Sequence, residues 1–222
     1  MFARVVMRVS DVEASRRFYA MLLGVLAAPD APACSSDPGR FVWGEFALVQ
    51  ASEAAAVTRG LHVGFAASSR AAVDAFWQAG VRAGFRDDGE PGPRPQYVAD
   101  YYGGFLLDPD GNSVEAVHHA GVRRDGVVDH LWIRVADLAA AHAWYGARAA
   151  AAGWRTRVAE ATRVQVEPVG GRGTFALVCD GRPATRHAHL AVPAPARATS
   201  VSEHDPDGNR VELLGTVRSS SG

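Results

Sequence analysis

The sequence predicts an α+β protein made of two tandem domains, the second shortened. Three observations carry that reading. Arg8–Tyr19 (RVSDVEASRRFY) recurs 126 residues later as Arg134–Tyr145 (RVADLAAAHAWY). FALVQ at Phe46 returns as FALVC at Phe175, and DPDGN at Asp108 returns at Asp205. Within each copy the apolar period switches between that of a strand and that of a helix. A repeat this long marks a duplicated domain rather than a solenoid. The DPDGN copies are only 97 residues apart, so the second copy lacks about 30 residues between His189 and Asp205.

The elements follow in order. Residues 4–9 alternate as a strand, and Asp11 caps a helix running to Leu23, with Val12, Phe18, Tyr19 and Leu22 as its apolar stripe. The Pro-, Ala- and Ser-rich stretch 28–39 is a loop before strands 41–43 and 46–50. Strand 61–66 and helix 70–79 open a second module. GEPGPRP reads as a loop, and strands follow at 97–102, 105–107 and 113–118, the last two joined by the DPDGN turn. The first half is thus βαβββ twice. HHAGVRRDGVV is a linker ending near Val128. The second half repeats a strand at 129–135, a helix at 137–152 and strands near 154–158, 163–168 and 174–179. Its closing module keeps a strand at 187–192, a PAPA stretch that bars a helix, and strands at 199–204 and 210–214. The domain bounds are 1–120 and 127–217. The missing residues remove the last module's helix and the strand after it.

Composition narrows the partners. The 222 residues are 48% hydrophobic and carry a formal net charge of −1, so no basic surface is set aside for nucleic acid or anionic membrane. Two cysteines, Cys34 and Cys179, are too few for a disulfide framework. MFARVVMRVSD lacks the apolar core of a signal peptide, and no apolar run reaches spanning length. The expectation is a cytoplasmic protein that binds a small molecule.

Two residue sets sit at near-matching spacings: Arg4, His62 and Glu115 in the first half, and His130, His189 and Glu212 in the second. Two imidazoles and a carboxylate are the ligands of a facial triad with open positions. On this reading His130, His189 and Glu212 hold one metal ion, and Arg4 replaces a histidine in the other set. Alternation puts His130, Trp132 and Arg134 on one face and Leu131, Ile133 and Val135 on the other, against the helices. Arg4 is expected to pair with Glu115. Arg4, Arg8, His62, Glu115, Tyr101, Tyr102, Trp132 and Arg134 are the candidate substrate contacts. No general base stands out. DPDGN lacks the spaced acids of a calcium loop, and GEPGPRP lacks the ending of a phosphate loop.

VSDVEASRRFY, DPDGNSVEAV and DPDGNRVELLG, set in paired βαβββ modules, resemble the vicinal oxygen chelate superfamily of glyoxalases, bleomycin- and fosfomycin-resistance proteins and extradiol dioxygenases. HVGFAASSRAAVDAFWQAGVRAG with YYGGFLLDPDGNSVEAV is especially similar to the glyoxalase-like branch. The resemblance covers nearly the whole chain. It implies that paired modules curl into open barrels, with ligands on the first strand of each module and the last strand of the second. It further implies a divalent ion (Fe2+, Mn2+, Zn2+ or Ni2+), a substrate chelated through adjacent oxygens, and a dioxygenase, lyase or isomerase, with a homodimer as an option. The alternative is a resistance-type protein that sequesters a drug without metal. A glyoxalase of this family adds a second carboxylate, but the strands in question end in Gln50 and Cys179, which counts against that activity.

Overall fold

The computed structural model describes residues 1–26, 33–34, 39–170, 173–194 and 199–215. The first module is β1 (Arg4–Val9), α1 (Val12–Val25), β2 (Ala33–Cys34), β3 (Arg40–Trp43) and β4 (Phe46–Gln50). The second is β5 (Leu61–Ala66), α2 (Arg70–Arg82), β6 (Arg86–Pro93), β7 (Tyr102–Leu107) and β8 (Ser113–His118). The third is β9 (Val128–Arg134), α3 (Leu138–Ala152), β10 (Trp154–Ala159), β11 (Arg163–Pro168) and β12 (Thr174–Val178). The fourth keeps β13 (His189–Ala194), β14 (Val201–His204) and β15 (Arg210–Gly215).

Each helix begins where the sequence offers a cap. The side chains of Asp11, Ser69 and Asp137 accept hydrogen bonds from the backbone N–H groups of Ala14, Ala72 and Ala140, each worth about 1 kcal/mol. α1 then buries Phe18, Tyr19, Leu22 and Leu23, each contributing roughly 1.5–3 kcal/mol by leaving water. α2 runs past its expected end, through Gly80. A Cβ there would lie 2.2 Å from Leu106 Cδ1, so glycine lets the helix close on β7.

The strands form two open sheets. One has the order β14-β15-β13-β1-β4-β3-β2, the other β10-β11-β12-β9-β5-β8-β7-β6. Neither follows the division at residues 120–127. β1 pairs antiparallel with β13, and β5 pairs antiparallel with β9, so each sheet joins one module from either half. The repeat pattern fixes which face of each strand is apolar. It does not say which of four similar modules meets a first strand's free edge, so the pairing of modules within each half has to be corrected to pairing across them.

Two smaller corrections concern β6 and β7. The GEPGPRP segment supplies the end of β6, an edge strand whose register shifts at Gly89 and Gly92. Proline is tolerated there because an edge strand has one side unpaired and bulges release further backbone groups. Residues 97–101 form turns, closed by Tyr97 N–H to Arg94 O and Tyr101 N–H to Val98 O, and β7 starts only at Tyr102. In the fourth module β13 runs on through Pro193 to Ala194, and residues 195–198 lie outside the described residues. What that module lacks corresponds to α2 and to β6, the outermost strand of its counterpart, so the inner strands keep their order.

Candidate metal centre

His62 and Glu115 stand on neighbouring parallel strands, where Gly64 is opposite Glu115. Antiparallel β9 brings His130 opposite Gly64 and Trp132 opposite His62. All three side chains are buried, none of the residues more than 5% exposed. Glu115 Oε2 lies 3.0 Å from His62 Nε2 and 3.2 Å from His130 Nε2, and the two nitrogens are 3.3 Å apart. Three donor atoms therefore converge on one point. Among the described residues, His62, Glu115 and His130 are the one group so placed that it could hold a metal ion.

The second nitrogen of each imidazole is tethered. His130 Nδ1 lies 3.1 Å from Asp129 Oδ2, and His62 Nδ1 lies 3.0 Å from Ser113 Oγ. Ser113 donates its one proton to Asp88 Oδ2 at 2.7 Å. Its oxygen must then accept from His62, which leaves the lone pair of His62 on Nε2, aimed into the cluster. Burial also lowers the pKa of His62 and keeps it neutral. For His130, burial works the same way, but Asp129 and Glu115 override it and hold the imidazolium up to about 10. Burial would raise Glu115, but the hydrogen bond from the charged His130 holds it down to about 2. The proton on His130 Nε2 thus sits among the three ligand atoms. Tyr101 Oη donates to the other carboxylate oxygen, Oε1, at 2.8 Å.

Glycine at 64 permits this arrangement. A Cβ there would fall 2.2 Å from the His130 ring. The cluster opens onto a cavity of about 650 Å³ that His130, Trp132, Tyr97, Tyr101 and Arg163 help to line. Ala176 faces it at the register position in β12 that Glu115 holds in β8, so no second carboxylate comes from that strand.

The structure regroups the expected ligands. His130 joins His62 and Glu115, while His189 and Glu212 stand together on the other sheet, with His189 Nε2 3.1 Å from Glu212 Oε2. The set His130, His189, Glu212 is not brought together, because β9 pairs with β5 and β13 with β1. For the same reason Arg4 makes no pair with Glu115; it stands on β1, across from Ala191. Arg8 shares that sheet. Trp132 packs on His62 with ring centroids 5.1 Å apart, and Tyr101 touches the cluster through Glu115. Tyr102 points to the helix side, donating to Asp74 at 2.8 Å. Arg134 is tied to Asp180 at 3.2 Å and to Gly60 O. Sequence reading missed Asp129, Ser113 and Asp88. Asp129 could have been found, since it directly precedes a ligand histidine, whereas Asp88 reaches Ser113 only through the bulged edge of the sheet.

A fold of crosswise-paired βαβββ modules, with ligand-type residues on opening and closing strands, defines a vicinal-oxygen-chelate architecture. The chain belongs to the Glyoxalase/Bleomycin resistance protein/Dioxygenase superfamily, whose family model matches residues 2–116. A glyoxalase/bleomycin resistance protein from Albidiferax ferrireducens T118 is 34% identical, covering 54% of this chain and 99% of its own, with a TM-score of 0.47. Glyoxalase I from Zea mays matches 96% of this chain and 92% of its own at 16% identity and a TM-score of 0.65. Its V278E mutant gives 17% identity and 0.64. The maize likeness shows the fold across both halves. None of the curated proteins matches this chain.

Proposed function

We propose that the protein is a divalent-metal-dependent enzyme acting on a small molecule in the cup of the eight-stranded sheet, with His62, Glu115 and His130 as ligands. The observation that carries this is the convergence of two Nε2 atoms and one carboxylate oxygen within 3.3 Å, each nitrogen backed by a tether on its far side. Such tethers fix tautomer and ring orientation in metal sites. Three protein ligands leave positions for adjacent oxygens of a substrate, and a bound ion would supply Lewis-acid stabilisation of an oxyanion or enolate there. Tyr101 keeps Glu115 Oε1 occupied, so only Oε2 faces the cluster. Trp132 and Tyr97, with ring centroids 5.5 Å apart and near-perpendicular planes, wall the cavity. Ala176 gives no base, so the proton removed must already be acidic, or O₂ must be the reactant. That favours a dioxygenase or lyase over the glutathione-adduct isomerase.

A second reading, metal-independent sequestration of a drug-like ligand, draws on one observation. The three ligand atoms already satisfy one another around the His130 proton, so the cluster is held together without an ion beside an open cavity. Metal analysis of protein purified without chelator or affinity tag separates the readings. One ion per chain is expected, lost in His62→Ala or His130→Ala and kept in His189→Ala. Metal retained in His62→Ala, or lost only in His189→Ala, defeats the assignment. Ligand binding by metal-free protein, with no turnover under any metal, would establish sequestration.

A further inference from the structure

The seven-stranded sheet repeats the register of the metal cluster with different residues. β13 and β15 set His189 beside Arg210 and Ala191 beside Glu212, as β5 and β8 set His62 beside Ser113 and Gly64 beside Glu115. β1 brings Arg4 opposite Ala191 and Val6 opposite His189, as β9 brings His130 opposite Gly64 and Trp132 opposite His62. Arg4 therefore holds the place of His130. A guanidinium has five N–H donors and no lone pair to give a cation. Ala191 adds a second obstacle, because its Cβ stands where Gly64 leaves room for the His130 ring.

The same face carries further cationic side chains among small apolar ones. Arg8 follows Arg4 at the two-residue step of one strand face. Arg40 joins the row through Val49, which is opposite Arg40 on β3 and beside Arg8 on β1. Arg210 and His189 complete it. Glu212 is the one carboxylate that the register puts on this face among the described residues, and it is engaged by Arg210 and by His189. Arg8 donates to the His187 carbonyl at 3.1 Å. Arg4 makes no side-chain hydrogen bond or ion pair among the described residues. His189 is 8% exposed, with its Nε2 3.1 Å from Glu212 Oε2. Four guanidinium groups against one carboxylate, with Arg4 left without a side-chain partner among the described residues, form a site for negative charge.

We propose that this face binds an anion, taking a small molecule through a phosphate or carboxylate group, independently of any metal. The duplication would then have left one metal cup and one anion cup on the same chain. The test is calorimetric titration of the whole protein with inorganic phosphate and, separately, with malonate, at fixed ionic strength so that screening is constant. One anion per chain is expected, and whichever probe binds more tightly identifies the group. Arg4→Leu should weaken binding about tenfold or more, in the range of one lost charge-assisted hydrogen-bond pair. Arg4→Lys, which keeps the charge, should weaken it less, and His62→Ala should leave it unchanged. Failure of both probes to bind, or wild-type affinity in Arg4→Leu, overturns the proposal. Should Arg4→Leu misfold, Arg8→Leu decides: weakened binding supports the site, and wild-type affinity in a folded protein overturns it.

Discussion

Ser113 shows how much a single hydroxyl can decide. By passing its proton to Asp88 it forces the lone pair of His62 onto Nε2. Ser113→Ala removes that control, and metal affinity is expected to fall about 10–100-fold, measured by competition with a chromophoric chelator. Asp129→Asn should do the same through His130. The charge states give a second prediction. His130 is held up to about 10, so at neutral pH a metal ion must displace its proton. Uptake should release about one proton, and affinity should rise with pH; calorimetry in buffers of different ionisation enthalpy reads the count. In the metal-free protein the raised pKa has the opposite consequence. Its stabilising contribution is full below the unfolded value of about 6.5 and is lost as pH rises through about 10. Sequence reading reached His62, Glu115 and His130 as residues worth naming, because ligand-type residues recur at near-matching spacings in the two halves. It could not group them, because grouping depends on which strand edges meet.

At the scale of elements, the two DPDGN turns behave as joints. Asp108 Oδ1 accepts from the backbone N–H groups of Asp110 and Asn112, and Tyr19 on α1 donates to Asp108 Oδ2 at 3.0 Å. Asn112 in turn donates to Thr58 O and accepts from Leu61 N–H, at the mouth of β5. Asp205, Asn209, Tyr145 and Thr185 repeat the set. The turn thus ties the helix of one module to the first strand of the next. Asn112→Ala strands several buried groups and should cost about 2–4 kcal/mol, lowering Tm by roughly 5–10 °C. Arg16→Ala, which loses an exposed pair with Glu13, should cost under about 1 kcal/mol. Thermal melts of the two variants test the contrast. The motif was legible as a turn, and its helix contacts were not, because Tyr19 and Asp108 are 89 residues apart. β6 was missed for a related reason. Pro and Gly mark loops in most settings, and only an edge position with bulges lets them stay in a ladder.

For the whole molecule, duplication was legible from the repeats, and so was the trimming of the last module. The crosswise assembly was not, since equivalent strands carry equivalent patterns. The same equivalence makes a design test possible. Arg4→His alone should not create a second metal site, because the ring would meet the Cβ of Ala191. Arg4→His with Ala191→Gly should raise stoichiometry from one ion per chain to two, read by mass spectrometry of the intact protein. A second ion in the single variant would show that the close approach of ring and backbone is not what separates the sheets. Among the described residues no helix is long and apolar enough to cross a membrane.

The pairing of β1 with β13 also sets a timetable. β1 finds its antiparallel neighbour only after about 180 further residues have left the ribosome, since Val6 lies beside His189. At roughly 5–20 residues per second, β1 waits on the order of ten seconds or more with one edge open. Its residues suit that wait. Arg4 and Arg8 are charges of the kind that discourage edge-to-edge association, so the side chains that face an anion in the finished sheet can also shield the strand while the rest of the chain is being synthesised.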